Sequence, residues 1–299
     1  MILQDYILQH YSAKSVSRYT RQIEQFKEIL GEKAEKSNYQ DILNYIGTLR
    51  ERRLHPKSLR NHLHSLKIYF RYLVEMKIRK DHPCENLQLK DRINKSIEVE
   101  SLYSKDELEL LYKEYTKQRE NTQNESTENT RDKIIVGLLV YQALTSSEII
   151  ELKTSDINLE EGTIRIKGND HKSKSGNKGR TLAFKPKQIL IIHEYLKTYR
   201  KDLSKQQNPS KRIDYFLLNE SGLQLYGSYI NRMLNKASHK KYTPIKIRQS
   251  VIANLLKENN DLRVVQEFAG HRKTGSTEAY KRTGFEELRA SIEKIHPLQ

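Results

Sequence analysis

A cation, an imidazole and a phenol follow one another toward the carboxyl end of this 299-residue chain, in an order that suits attack on a phosphodiester. They are Arg248 in Thr243-Pro244-Ile245-Lys246-Ile247-Arg248-Gln249-Ser250, His271 in Ala269-Gly270-His271, and Tyr280 in Ser276-Thr277-Glu278-Ala279-Tyr280. A guanidinium can clamp a phosphate with its planar fork of donors, an imidazole can hydrogen-bond it, and a phenolic oxygen can attack the phosphorus. Each residue also has a plainer reading. Tyr280 is one of 18 tyrosines, a single histidine is often a satisfied core residue, and an arginine can position a phosphate backbone without taking part in chemistry. What favours a shared site is that the three occur in sequence within 33 residues, from Arg248 to Tyr280.

The composition points to the same class of partner. Lys and Arg number 54 against 38 Asp and Glu, a formal charge of +16. Such an excess favours a polyanion, nucleic acid first. A hydrophobic share of 36% with a mean hydropathy of −0.82 is lean, but at this length it still supports a core in one large or two moderate domains. Cys84 is the only cysteine, so no intramolecular disulfide forms, and no Cys/His cluster has zinc spacing. Met1 to Tyr11 contains Gln4 and Asp5 and no long apolar run. It is read as neither signal peptide nor membrane span, so the expected location is cytoplasmic with no membrane partner.

The elements that must position such a site are mostly helical. Ser15 to Leu30 carries Val16, Tyr19, Ile23, Phe26 and Ile29-Leu30 at helical spacing, and Tyr39 to Leu49 repeats the pattern. Pro56 marks a helix start, after which Leu59, Leu63, Leu66, Tyr69-Phe70 and Leu73 form one stripe. Arg60, His62, His64, Lys67 and Arg71 are placed on the opposite face, either as a solvated surface or as phosphate contacts. Lys90, Arg92 and Lys95 lie in a charged stretch that reads as a linker along the nucleic acid. Ser104 and Glu107 predict a capping box, and Thr116 to Thr130 reads as a polar surface loop. Ile134 to Tyr141 is an apolar helix, and Thr145 with Glu148 reads as the cap of the next one. Thr163–Ile166 and Arg180–Phe184 alternate like paired strands around a cationic tip holding Lys172, Lys174 and Lys178. Pro186 starts a further helix, and helices dominate from Tyr229 onward. Phe285, Leu288, Ile292 and Ile295 mark a terminal helix that packs either on its own domain or on a neighbouring subunit.

On these residues the chain resembles the tyrosine recombinase (phage integrase) family along nearly its whole length. Thr243-Pro244 and Arg248 match an H-x-x-R box, Ala269-Gly270-His271 matches a Leu-Gly-His box, and Tyr280 follows His271 by nine residues, as the family pattern asks. Gln142 to Ile149 matches the box that normally reads Thr-Gly-Leu-Arg-x-x-Glu-Leu, and Ser173-Lys174-Ser175-Gly176 resembles a lysine-bearing hairpin. The family's first arginine falls on Thr145, and the histidine of its H-x-x-R box falls on Ile245.

The resemblance implies a mainly α (α+β) fold. Residues 1–90 would form a helical, SAM-like core-binding domain, 91–103 a linker, and 104–299 a mostly helical catalytic domain with a small antiparallel β-sheet. It implies a cofactor-free and metal-free transesterification on double-stranded DNA. Tyr280 would be the nucleophile, Arg248 and His271 phosphate ligands, and Lys174 the general acid, with Lys172 its rival. Lys172, Lys153 and Arg272 are candidate substitutes for the missing cation. Backbone contacts are expected from Arg60, His64, Lys67, Arg71, Lys90, Arg92, Lys95, Lys178 and Arg180. The partners implied are a homo-oligomer, dimer to tetramer, on DNA, and further recombinases. Two readings follow. One is an integrase or recombinase of a mobile element, with a topoisomerase-like nicking enzyme as a more distant variant. The other is an accessory DNA-binding protein of weak or no catalysis, to which Thr145 and Ile245 point.

Overall fold

The computed structural model describes residues 2–92, 101–117, 127–168, 177–205, 214–236 and 242–280, which fall into two compact units. The first is entirely helical: α1 (Leu3–His10), α2 (Ala13–Leu30), α3 (Tyr39–Glu51) and α4 (Pro56–Glu75). Helix α3 opens with a reciprocal cap. Asp41 N–H donates to Asn38 Oδ1 at 3.0 Å and Asn38 N–H to Asp41 Oδ2 at 2.8 Å, satisfying two donors that a helix start leaves orphaned. Pro56 occupies the first position of α4, where its missing N–H costs nothing. The stripes meet in an aromatic core where Phe26 lies edge-on to Tyr45, centroids 5.0 Å apart.

Two features of this unit depart from the sequence reading. Helix α1 has no counterpart in the hydrophobic pattern, because only Tyr6 and Ile7 of its eight residues are buried, too few to show a period. His62 does not belong to the exposed face. It is buried, and its Nδ1 lies 3.0 Å from the Tyr45 hydroxyl. Position 62 falls beside Leu59 and Leu66 on the helical wheel, so the core claims it. Arg60, His64 and Arg71 are exposed and Lys67 is half-buried. Arg60 donates to the Asp91 carbonyl at 2.7 Å and Lys67 to that of Glu85 at 2.7 Å, while His64 stands edge-on to Tyr11 and Tyr19. Lys90 and Arg92 are exposed; Lys95 lies outside the described residues.

The second unit is mostly helical around one small sheet. In chain order it has α5 (Lys105–Lys117), α6 (Thr127–Gln142), α7 (Ser146–Glu151), strands β1 (Ile157–Asn158), β2 (Thr163–Ile166) and β3 (Arg180–Ala183), then α8 (Pro186–Glu194). Helices α9 (Arg200–Lys205), α10 (Gly227–Lys236), α11 (Pro244–Lys257), α12 (Leu262–Ala269) and α13 (Thr274–Glu278) follow. The sheet is antiparallel in the order β1-β2-β3, and its register sets Ile164 against Leu182 and Ile166 against Arg180. The expected β2–β3 pairing is present, and β1 adds a third strand. Helix α6 is the buried axis: Ile135, Val136, Leu138 and Leu139 have no exposed surface, so its apolar residues run all round it. It begins at Thr127, inside the stretch whose polarity suggests a loop. Arg131, four residues on, has a buried guanidinium that donates to the Leu218 carbonyl at 3.0 Å and so ties the polar start of the helix sequence to the interior. The Ser104–Glu107 box caps α5 as expected. Among the described residues, no helix is long and apolar enough to cross a membrane.

Candidate active site

Helix α11 delivers Arg248. Thr243 accepts the Lys246 N–H at 3.2 Å and Pro244 takes the first helical position, so the Thr-Pro pair fixes where the helix starts and which face turns inward. Arg248 lies on that inward face with Ile247, Val251 and Ile252, and is only 8% exposed. Its two terminal nitrogens donate to the carbonyls of Ala143 and Ala269. Ala143 itself holds φ = 50°, a left-handed conformation uncommon for a residue with a Cβ.

Helix α12 delivers His271. Gly270 ends the helix in the left-handed conformation (φ = 68°), and here glycine is required on two counts. A Cβ would be strained at that φ, and it would lie 2.7 Å from Arg180 Nη1 and 2.9 Å from the Lys178 carbonyl. Lys178 N–H donates to the Gly270 carbonyl at 2.7 Å, and Asn177 pairs with His271 as a short antiparallel bridge. The strand leading into β3 is thus stitched to the Gly270-His271 turn. Past α13, Tyr280 N–H donates to the Thr277 carbonyl at 3.1 Å, and the ring packs on Ile252, Val265 and Ala269.

The His271 and Tyr280 rings lie nearly parallel, 12° apart, with centroids 6.4 Å from one another. His271 Nδ1 is engaged by the Thr277 hydroxyl at 2.9 Å, which leaves Nε2 as the ring nitrogen to offer a phosphate. Burial, then the charges of Arg248 and Arg180, push the imidazole down to about 4, against a smaller opposing pull from Glu148. His271 is therefore neutral at physiological pH. In the free protein its ring is expected to stay neutral as pH falls from about 7 to 5, where an ordinary histidine, with a pKa near 6.5, becomes charged. Nitrogen-detected histidine NMR, with the His271 signals identified by their loss in His271→Gln, checks this; a midpoint near 6.5 would contradict it. Burial raises the Tyr280 phenol above its ordinary value, with Arg248 pulling the other way.

A buried ion cluster backs these groups. Arg180 reaches Glu148 with both terminal nitrogens, at 2.7 and 3.3 Å, and Arg248 Nη1 lies 4.0 Å from the same carboxylate. Asn177 donates to Glu148 at 3.0 Å, and Thr145 donates from both its N–H (2.8 Å) and its hydroxyl (3.0 Å). Burial alone would raise the Glu148 carboxyl. The Arg180 hydrogen bonds and charge, then Thr145 and Asn177, outweigh that and hold it at about 2. Arg248 is pulled below its ordinary value by burial, with Glu148 opposing.

The structure thus brings Arg248, His271 and Tyr280 together, and it adds residues the motifs did not assign to the site: Arg180, Glu148, Asn177 and Thr277. Arg180, expected to contact the DNA backbone, has a side chain only 5% exposed and paired with Glu148. The strand pattern holds the signal for it. Arg180 and Leu182 share the half-buried face of β3 while Thr181 and Ala183 are exposed, so Arg180 occupies an inward-facing position. Thr145 caps α7, in agreement with the sequence reading. Ile245, 72% exposed, precedes Arg248 by the three residues that put two side chains on one helix face. Lys178 is exposed, Lys153 is exposed and paired through its backbone with Tyr215, and Arg272 is half-buried. Lys172, Lys174 and the terminal 285–295 helix lie outside the described residues.

The phage integrase family profile matches residues 103–287, and a profile for the phage integrase N-terminal SAM-like domain matches residues 2–80. The chain is 28% identical over 304 residues to the tyrosine recombinase XerC of Bacillus pumilus, covering 97% of this chain and 93% of that one. It is 29% identical over 252 residues to a tyrosine recombinase of Agathobacter rectalis, covering 81% and 77%. The fold is shared with the XerH site-specific recombinase bound to difH substrate in a pre-cleavage complex, at a TM-score of 0.65 and 20% identity, covering 93% of this chain and 79% of that one. It is shared also with the Tn1549 transposon integrase in complex with a circular intermediate DNA, at 0.62 and 18% identity, covering 98% of each. Because the first profile spans well over half the residues, the chain belongs to the phage integrase family and is an enzyme of the tyrosine recombinase kind.

Proposed function

We propose that this chain cuts and rejoins double-stranded DNA at a defined site through a 3′-phosphotyrosine bond formed by Tyr280, and that the DNA it joins belongs to a mobile element. The observation that carries the reading is the convergence of Arg248, His271 and the Tyr280 ring on one buried ion cluster. The phenolic oxygen attacks phosphorus while the bond to the deoxyribose 5′-oxygen breaks. The phenol releases its proton to solvent, and the 5′-oxygen gains one from Lys174 or Lys172 of the segment between β2 and β3. Negative charge grows on the non-bridging oxygens, where fixed guanidinium groups act most strongly. Residues 1–90 serve as the core-binding domain, 91–103 as linker and 104–299 as catalytic domain. Exposed Arg60, His64, Arg71, Lys90, Arg92 and Lys178, with half-buried Lys67, contact the backbone, and two or more copies act together on cytoplasmic DNA. The mobile-element assignment is supported by the match to a family described by its phage integrases.

A nicked suicide duplex, from which the cut 5′ fragment diffuses away, tests this. A covalent protein–DNA adduct is expected with the native chain and none with Tyr280→Phe. The accessory-protein reading draws on Thr145, which spends its side chain on a helix cap, and on Ile245, which brings no charge. It would be favoured instead by tight binding to DNA with no adduct under any condition.

A further inference from the structure

Position 145 carries no cation, yet the pocket holds two guanidinium groups. Arg180 comes from β3 and Arg248 from α11, and Glu148 lies between them. Two positive charges against one negative leave this buried cluster with a net positive charge. That excess helps depress both Arg248 and His271. Burying an arginine is costly unless its charge and donors are met. Glu148 meets the terminal nitrogens of Arg180, but the Arg180 Nε is buried with no hydrogen-bond partner among the described residues. Gly270 lets the backbone before His271 close directly over this guanidinium, at a distance no side chain would allow. The Thr145 hydroxyl, 3.0 Å from Glu148, shows that position 145 addresses the same carboxylate.

We propose that Arg180 is the second guanidinium of the phosphate pocket, brought in by the strand next to the hairpin in place of a cation at position 145. The inference rests on the recombinase reading above. A cluster with surplus positive charge and an unmet donor is complementary to one phosphodiester, whose charge grows as the tyrosine–phosphorus bond forms and the phosphorus–5′-oxygen bond breaks.

The test is single-turnover adduct formation on two suicide duplexes. One carries the natural scissile phosphate. The other carries a methylphosphonate, in which a methyl group replaces one non-bridging oxygen and removes the charge. On the phosphate, Arg180→Ala is expected to slow adduct formation by roughly 10²–10³-fold, with DNA affinity little changed. On the methylphosphonate the variant and the native chain are expected to react at similar rates, because the ground-state charge that a second guanidinium would balance is gone and Arg248 alone meets the charge that develops on the remaining oxygen. Should Arg180→Ala not fold, the paired change Arg180→Met with Glu148→Gln keeps the pocket filled and removes the Arg180–Glu148 ion pair as a unit, leaving Arg248 as its one guanidinium, and the same pattern is expected of it. Full activity of a folded variant on phosphate overturns the proposal. So does an equal loss on both substrates, which marks an architectural role. A native chain that forms no adduct on phosphate overturns the recombinase reading itself, an outcome that none of the variants is needed to recognise.

Discussion

Arg248→Ala is expected to lower strand cleavage by roughly 10²–10³-fold while weakening DNA binding only modestly. Removing one fixed donor aimed at developing charge typically costs ~3–4 kcal/mol of transition-state stabilisation. Arg248 is well placed to supply that much, because it is buried and held by two backbone carbonyls, so its fork is oriented before DNA arrives. Binding depends instead on many exposed cations of a chain with +16 formal charge, and one buried arginine adds little to that sum. The same anchoring has a structural consequence. Alanine leaves the Ala143 and Ala269 carbonyls without their donor, at about 1–3 kcal/mol for each that water does not reach. Rates should therefore be compared at a temperature where circular dichroism shows the variant folded. Arg248→Lys keeps a charge but not the two-pronged geometry, and is expected to recover stability more than cleavage. A folded Arg248→Ala that forms adduct at the native rate would remove Arg248 from the phosphate site.

How much of the site is legible in the sequence depends on whether its determinants are local. Thr243-Pro244 is a helix start and Gly270 a helix stop, and both depend on a few neighbouring residues, so the determinants that place Arg248 and His271 are local. The Thr145–Glu148 cap is likewise local. The stripes of α2 and α4 are readable because each repeats over several turns, whereas α1 buries too little to show a period. Polarity sets His62 on the wrong face because it lies at the border of a stripe, where polarity and wheel position disagree. The part that escapes is the ion cluster. Arg180 and Glu148 are 32 residues apart, and they meet because β3 pairs with β2 while Lys178 is bonded to the turn at Gly270. No local pattern records such a meeting. A single charged residue on the inward face of a strand is the one trace of it.

Glu148→Ala is expected to be the most destabilising single change in this cluster, by about 3–5 kcal/mol, because it strands two buried guanidinium groups without their shared carboxylate. Glu148→Gln is the more informative variant, because it keeps the shape and removes only the charge. The native carboxyl titrates at about 2, below the ordinary 4.5: burial alone would raise it, and the hydrogen bonds and charge of Arg180 outweigh that. A carboxylate depressed by folding stabilises fully above its unfolded pKa, because only there is it ionised in both states. As pH falls through the unfolded value the unfolded chain takes up the proton first, and the advantage shrinks until the folded group is protonated too. The stability difference between the native chain and Glu148→Gln, from urea midpoints, is therefore expected to be constant from about pH 7 to 5 and to narrow between about 4.5 and 2. Contributions from titrating groups remote from Glu148 largely cancel in that difference; His271, which titrates near 4 and which Glu148 pulls upward, is removed from it by making both measurements in a His271→Gln background. A gap still undiminished at pH 3 would mean that Glu148 stabilises the fold through its shape and hydrogen bonds alone, and that the positive charges around it are balanced some other way.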